Sequence, residues 1–296
     1  MKSYKAELFS EEKYQLGESP FYDSVNERLS WVDITEGKVF SLDKLNNKKI
    51  FKFNQPVGAA VPAVQNGSYV LAAMDGLYLL EEDFTSPLLI KNLSEYYKNY
   101  HRSNDAKADP AGRLWFGSCV NDDHPAEGNL FSMEPPVSLK NISGIKINCR
   151  QKETKISNGM AWNKAHTKFF FSDSLEHSVF SYDYDEKSGQ ISNRQILFTV
   201  TDSVPDGMTI DSNDNLWVAL WGGKRIEERS SKDGSLISTV YVDAEHVSSC
   251  TFYGKNLDTL FITSSAIGLD GKYDGCLFTC KAEAQGLPCD KCNISI

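Results

Sequence analysis

A repeated unit limits this chain more than any other feature. A turn rich in Asp, Asn and Gly, followed by a short strand of aromatic and β-branched residues, recurs six times. The copies read SVNERLSWVD, QNGSYVLAA, DPAGRLWFGS, NKAHTKFFFSD, SNDNLWVAL and GKNLDTLFITS. Their first strand residues are Leu29, Tyr69, Leu114, Phe169, Leu216 and Leu260, separated by 40, 45, 55, 47 and 44 positions. A second strand follows several copies, as in GKVFSLD, DGLYLLEED, GNLFSM, HSVFSYDYD and GCLFTC. Strand, turn and strand at this period suit four-stranded blades. The expectation is an all-β fold: a six-bladed β-propeller of four-stranded antiparallel blades around a central channel, forming one domain over residues 1–296. A β-sandwich would show turn signals but no longer period. The stretch KNLSEYYKNYH at 91–101 reads as one helical turn or a loop.

Composition narrows the partners. The 31 basic and 40 acidic side chains leave a net charge of −9, without the basic face that nucleic-acid binding needs. No run of about 18 apolar residues is present to cross a bilayer. The start MKSYKAELFSEEKYQLGESP has no apolar segment or small-residue cleavage site, so a cytoplasmic protein is expected, monomeric or weakly dimeric. The seven cysteines are then expected as reduced thiols. The Asn-x-Ser triplets at Asn66, Asn92, Asn141 and Asn293 are read as chance.

The repeat also picks out a set of polar residues. Glu18, Gly58, Asn104, Asn158, Asp206 and Ser249 each stand ten or eleven positions before the first strand residue of their copy. Equal phase in a propeller means equal height around the axis, so these residues are expected to ring one mouth of the channel. Carboxylates brought together in a partly dry channel repel one another unless protonated or neutralised. A hard cation with oxygen ligands, such as calcium, magnesium or manganese, would relieve that repulsion. The competing reading is local, because Asn-Gly in SNGM and Asp-Gly in PDGM are common turn dipeptides.

At these residues the chain resembles the regucalcin (senescence marker protein), gluconolactonase and luciferin-regenerating enzyme family. The matching stretches are LGESPFYD at 16–23, RSNDAKADPAGRLWFGS at 102–118, ISNGMAW at 156–162 and PDGMTID at 205–211. SSCTFYGKNLDTLFITSS at 248–265 and GLP at 286–288 match more weakly. The resemblance implies one divalent cation (calcium, magnesium, manganese or zinc) held by Glu18, Asn158 and Asp206. It implies that Arg102 and Asn104 contact the substrate. It also implies that Asp122, in SCVNDDHPAEG, stands where some animal members carry a substrate-binding glutamate.

The activity so implied is hydrolysis of a small sugar lactone, with Asp206 as general base. A luciferin-regenerating type of enzyme on a non-sugar substrate and a non-catalytic calcium-binding regulatory protein are the alternatives. Other signals are weaker. Cys289-x-x-Cys292 with Cys276 and Cys280 does not match common zinc spacings. No G-x-S-x-G, P-loop or G-x-G-x-x-G motif occurs. Trp31, Trp115 and Trp217 read as core between blades, as do Trp162 and Trp221, although those two could instead line the mouth. His101 and His124 lie near the expected mouth and read as loop histidines.

Overall fold

The computed structural model describes residues 2–65, 67–135, 137, 138, 140 and 144–295, with backbone alone at 137, 138 and 295. Asn66 and Asn141, two of the triplet asparagines, lie outside the described residues. Among the described residues the strands form four separate four-stranded sheets, one nine-stranded sheet and a two-stranded pair. Each four-stranded sheet is antiparallel with its strands in chain order, the first being Gly17–Asp23, Arg28–Asp33, Lys38–Leu42 and Lys48–Lys52. The nine-stranded sheet joins the segments from 204 to 241 with those from 246 to 281 through a single residue pair, Trp221 and His246. The expected separate four-stranded sheet for every repeat is therefore met at four repeats, and the last two share one sheet.

The first strands of the repeats are Gly17–Asp23, Val57–Pro62, His101–Ala108, Ser157–Trp162, Val204–Ile210 and His246–Tyr253. Each packs on the next, and the last packs on the first, closing a circuit. This is the arrangement of a β-propeller. Crowding at the axis explains the sequence of these strands. Gly17–Asp23 is buried along its whole length, and Val57–Pro62 carries the small residues Gly58, Ala59 and Ala60. Further out the sheets splay and admit bulk, as where Trp31 stacks on Phe40 at 5.4 Å. The outermost strand Lys48–Lys52 exposes every residue except Phe51.

The turn that opens a repeat has a second task. Asp109 Oδ1 accepts from the backbone N–H of Ala111 and Arg113, and its Oδ2 accepts from Trp115 Nε1 at 2.9 Å. Asp211 does the same for Asn213, Asn215 and Trp217 Nε1, the last at 3.1 Å. One carboxylate thus shapes the turn and satisfies an indole buried in the next strand.

Both ends of the chain are tied down in ways the repeat did not announce. Glu7–Ser10 pairs antiparallel with Leu277–Lys281 and supplies the outer strand that the final repeat lacks. Lys2–Lys5 runs parallel to Leu236–Tyr241. At the other end, Cys292 N–H donates to Pro62 O at 2.8 Å and Asn293 N–H to Gly112 O at 2.9 Å. Residues 94–100 form turns without a helix. Trp162 is core, packed with Trp115 and Phe169, whereas Trp221 is only partly buried and stacks on His246 at 4.1 Å. Among the described residues no helix is long and apolar enough to cross a membrane.

Candidate active site

The pairing of first to second strand slips at one place in every repeat. The slips fall between Glu18 and Phe21, Val57 and Ala59, Ser103 and Ala106, Ser157 and Met160, Pro205 and Met208, and Val247 and Ser249. A bulge leaves a residue outside the ladder and re-aims its side chain. Gly58, Asn104, Asn158 and Asp206 lie inside these slips, and Glu18 and Ser249 border them. Repeat phase locates the level of the ring, and the bulges turn its side chains away from the ladder.

Contacts carry the ring round the axis. Ser19 Oγ donates to Gly58 O at 3.0 Å. A Cβ on Gly58 would stand 2.1 Å from Asn104 O, so this strand pair approaches as only glycine permits. Asn104 Nδ2 donates to Asn158 Oδ1 at 3.0 Å, and Asn158 Nδ2 to Ser174 Oγ at 2.8 Å. Ser174 Oγ donates to Pro205 O at 2.7 Å, beside Asp206. A Cβ on Gly207 would meet Ser249 Oγ at 2.1 Å. Ser248 Oγ then donates to Gly17 O at 2.5 Å, beside Glu18.

The ring concentrates unrelieved negative charge. Glu18 and Asp206 are each 5% exposed. Burial and then the Asp105 carboxylate push Glu18 from its ordinary 4.5 up to about 8. Burial, then Glu18, then Asp105 push Asp206 well above the usual carboxylate range. The Arg102 guanidinium opposes both shifts. Asp206 Oδ1 is buried and has no hydrogen-bond partner. Asp105 is itself raised by burial, against the pull of Lys107.

These shifts set a pH dependence. A carboxyl raised on folding adds stability that is complete below its unfolded value and is lost as pH rises through its folded value. Cation-free protein is therefore expected to melt at progressively lower temperature from about pH 4.5 to about pH 8. Thermal melts in chelator across that range check it, and a flat profile would count against the buried pair.

The substrate-contact candidates divide. Arg102 Nη1 donates to Asn104 Oδ1 at 2.6 Å and to Ser103 O at 3.0 Å, which ties it to the ring. Asp122 is exposed on the loop after Leu114–Val120. It accepts from His124 N–H at 3.0 Å and pairs with His124 Nδ1 at 2.5 Å, and those bonds hold its carboxyl below the usual range. Among the described residues no hydrogen bond joins Asp122 to the ring. Ser19 and Lys107 are neighbours that sequence reasoning passed over, and Asp105 is one to which it gave no role. Asp105 was visible in the Arg-x-Asn-Asp stretch, but Ser19 left no signal. A cavity of about 300 Å³, open to the surface, lies at the opposite end of the first strands, lined by Phe21, Lys107, Trp162, Ile210 and Cys289. It holds none of the ring residues, so the buried carboxylates and not the cavity mark the candidate chemistry.

The donor types are ones that hard cations take, because the ring offers two carboxylates and asparagine amides with no sulfur or imidazole among them. The orphaned Asp206 Oδ1 fits such an ion, and Asn158 Oδ1 keeps a lone pair beyond its bond to Asn104. Among the described residues no set of three or more His, Cys, Asp or Glu is arranged to hold a metal, the cysteine group at 276–292 included. All seven cysteines are unpaired.

A β-propeller with a buried polar ring at one end of its first strands is the class that fold and site define. Residues 16–266 match the family described as SMP-30/Gluconolactonase/LRE-like region, and the chain belongs to that family. It is 34% identical to regucalcin of Danio rerio over 278 residues, covering 92% of this chain and 90% of that protein. It is 32% identical over 291 residues to YvrE of Bacillus subtilis (strain 168), named as a candidate sugar lactone lactonase, covering 95% of this chain and 96% of that protein. A solved luciferin-regenerating enzyme superposes with a TM-score of 0.88 at 30% identity, covering 97% of this chain and 98% of the other.

Proposed function

We propose that the chain is a hydrolase that opens a small sugar lactone with the help of one divalent cation held by Glu18, Asn158 and Asp206. The reading takes the chain as one domain of six blades, the nine-stranded sheet counting as two blades joined at Trp221 and His246. The observation that carries it is the buried pair Glu18 and Asp206, with Asp206 Oδ1 lacking a partner. Membership of the family and the name of the Bacillus relative support the substrate class.

When bound, a divalent cation supplies Lewis-acid polarisation of the ester carbonyl. Asp206 accepts the proton of the attacking water. Coordination lowers its basicity, and a strained lactone needs only a weak base. The new bond joins the water oxygen to the acyl carbon, the ring C–O bond breaks, and the proton taken up by Asp206 passes to the departing ring oxygen, which releases a hydroxy acid. Arg102 keeps guanidinium donors beyond those spent on Asn104 and Ser103, and these orient lactone oxygens beside Asn104. Asp122 reaches substrate in this reading only if His124 releases it.

A panel of lactones followed by acid release, with and without chelator, tests the proposal. Chelation is expected to abolish turnover, and calcium, magnesium, manganese or zinc to restore it. Full activity in metal-free protein overturns it. A non-sugar substrate is the second reading, favoured by the partly buried Trp221 stacked on His246 at the start of a first strand. Non-catalytic calcium binding, which the names of the regucalcin relatives favour, predicts uptake of calcium with no lactone opened.

A further inference from the structure

We propose that Ser19 is a positioning residue, tethered by Asp105 and Gly58, that aims the Glu18 carboxylate into the ring. The inference rests on reading the ring as a cation site. Ser19 has φ of +44°, in the left-handed region that a β-carbon disfavours. It is 3% exposed, lies inside the bulge between Glu18 and Phe21, and precedes Pro20, whose ring restricts it further. Such strain persists only where the surroundings over-determine it, and it gathers at functional sites.

Three contacts hold Ser19. Its N–H donates to Glu18 Oε2 at 2.7 Å. Its hydroxyl lies 3.0 Å from Gly58 O and 3.1 Å from Asp105 Oδ1, and its single proton is shared between those two acceptors. Asp105 is fixed in turn, because its Oδ1 also accepts from Ala106 N–H at 2.7 Å. Glycine would adopt the same φ without strain but has no hydroxyl to reach Asp105. The serine therefore exchanges local ease for a tether to the next first strand at Gly58 and to the one beyond it at Asp105. The tether sets the peptide plane, the plane sets where the Ser19 N–H points, and that N–H holds Oε2 of Glu18. Among the described residues no other hydrogen bond restrains the Glu18 carboxylate.

A structural role and a positioning role predict different results for Ser19→Gly. Relief of strain alone leaves cation affinity unchanged and the melting temperature equal or higher. Positioning predicts the same melting temperature or higher, together with cation affinity weaker by about 10–100-fold, as for other residues that orient metal ligands. Ser19→Ala keeps the strain and loses the tether, so it should show the same loss of affinity and melt lower. The measurement is calorimetric titration of chelator-treated protein with calcium, magnesium, manganese and zinc in turn, beside thermal melts. Affinity within twofold of the unsubstituted protein in either folded variant overturns the inference and leaves the cation reading standing. An unsubstituted protein that takes up none of the four ions overturns both.

Discussion

Asp206→Ala is expected to lose lactone turnover by about 100-fold or more, the usual worth of a positioned general base, while remaining fully folded. The expected stability change has the unusual sign. Asp206 is buried, its Oδ1 has no partner, and it stands in the field of Glu18 and Asp105. Removing it relieves repulsion and desolvation, so cation-free protein should melt at the same temperature or higher at pH 8. Its backbone carbonyl, which accepts from Ser172 Oγ at 2.7 Å, survives the substitution. Steady-state kinetics beside thermal melts check both halves. A variant that keeps turnover removes Asp206 from the proposed chemistry, and one that unfolds makes it structural.

Asp109→Ala is expected to be the most destabilising single change away from the ring. Asp109 is fully buried and makes an ion pair with Arg113 Nη1 at 3.2 Å. Trp115 Nε1 at 2.9 Å and Tyr184 OH at 2.7 Å also donate to it. The alanine variant strands an indole N–H and a phenol, while Arg113 keeps Glu134 and the carbonyls of Glu186 and Lys187, and each buried donor left without a partner costs about 1–3 kcal/mol. A urea titration should show the midpoint lowered by that free energy divided by the slope, with the slope itself unchanged. Asp109→Asn keeps an acceptor and should fall between the two. Equal midpoints for all three proteins would mean that the turn carboxylate bears none of this load.

Much of the architecture could be read from residues alone because a propeller repeats. Leu29, Tyr69, Leu114, Phe169, Leu216 and Leu260 keep one phase, and phase translates directly into position round an axis. The same phase puts Glu18, Asn104, Asn158 and Asp206 at one position of their repeats. The strand Glu7–Ser10 escaped that reading, since it pairs with Leu277–Lys281 across almost the whole chain and carries no turn signal of its own. The joining of the last sheets through Trp221 and His246 escaped it too, because a single pair between adjacent repeats leaves no mark on the period. The Asp-to-Trp hydrogen bonds at 109 and 115, and at 211 and 217, were present as a six-residue spacing but looked like turn and core taken separately.

At the site the division is sharper. Residue types and their period determined that acidic and amide side chains share one phase of the repeat, because periodicity is a property of order along the chain. Only the tertiary structure decided which way those side chains face, since a bulge depends on register between two strands. Tertiary structure also decided that Ser19 adopts a left-handed backbone under Asp105, and that Asp122 turns to His124 on an exposed loop. Burial and electrostatic repulsion arise from distances between atoms far apart in sequence, and no pattern along one strand encodes them.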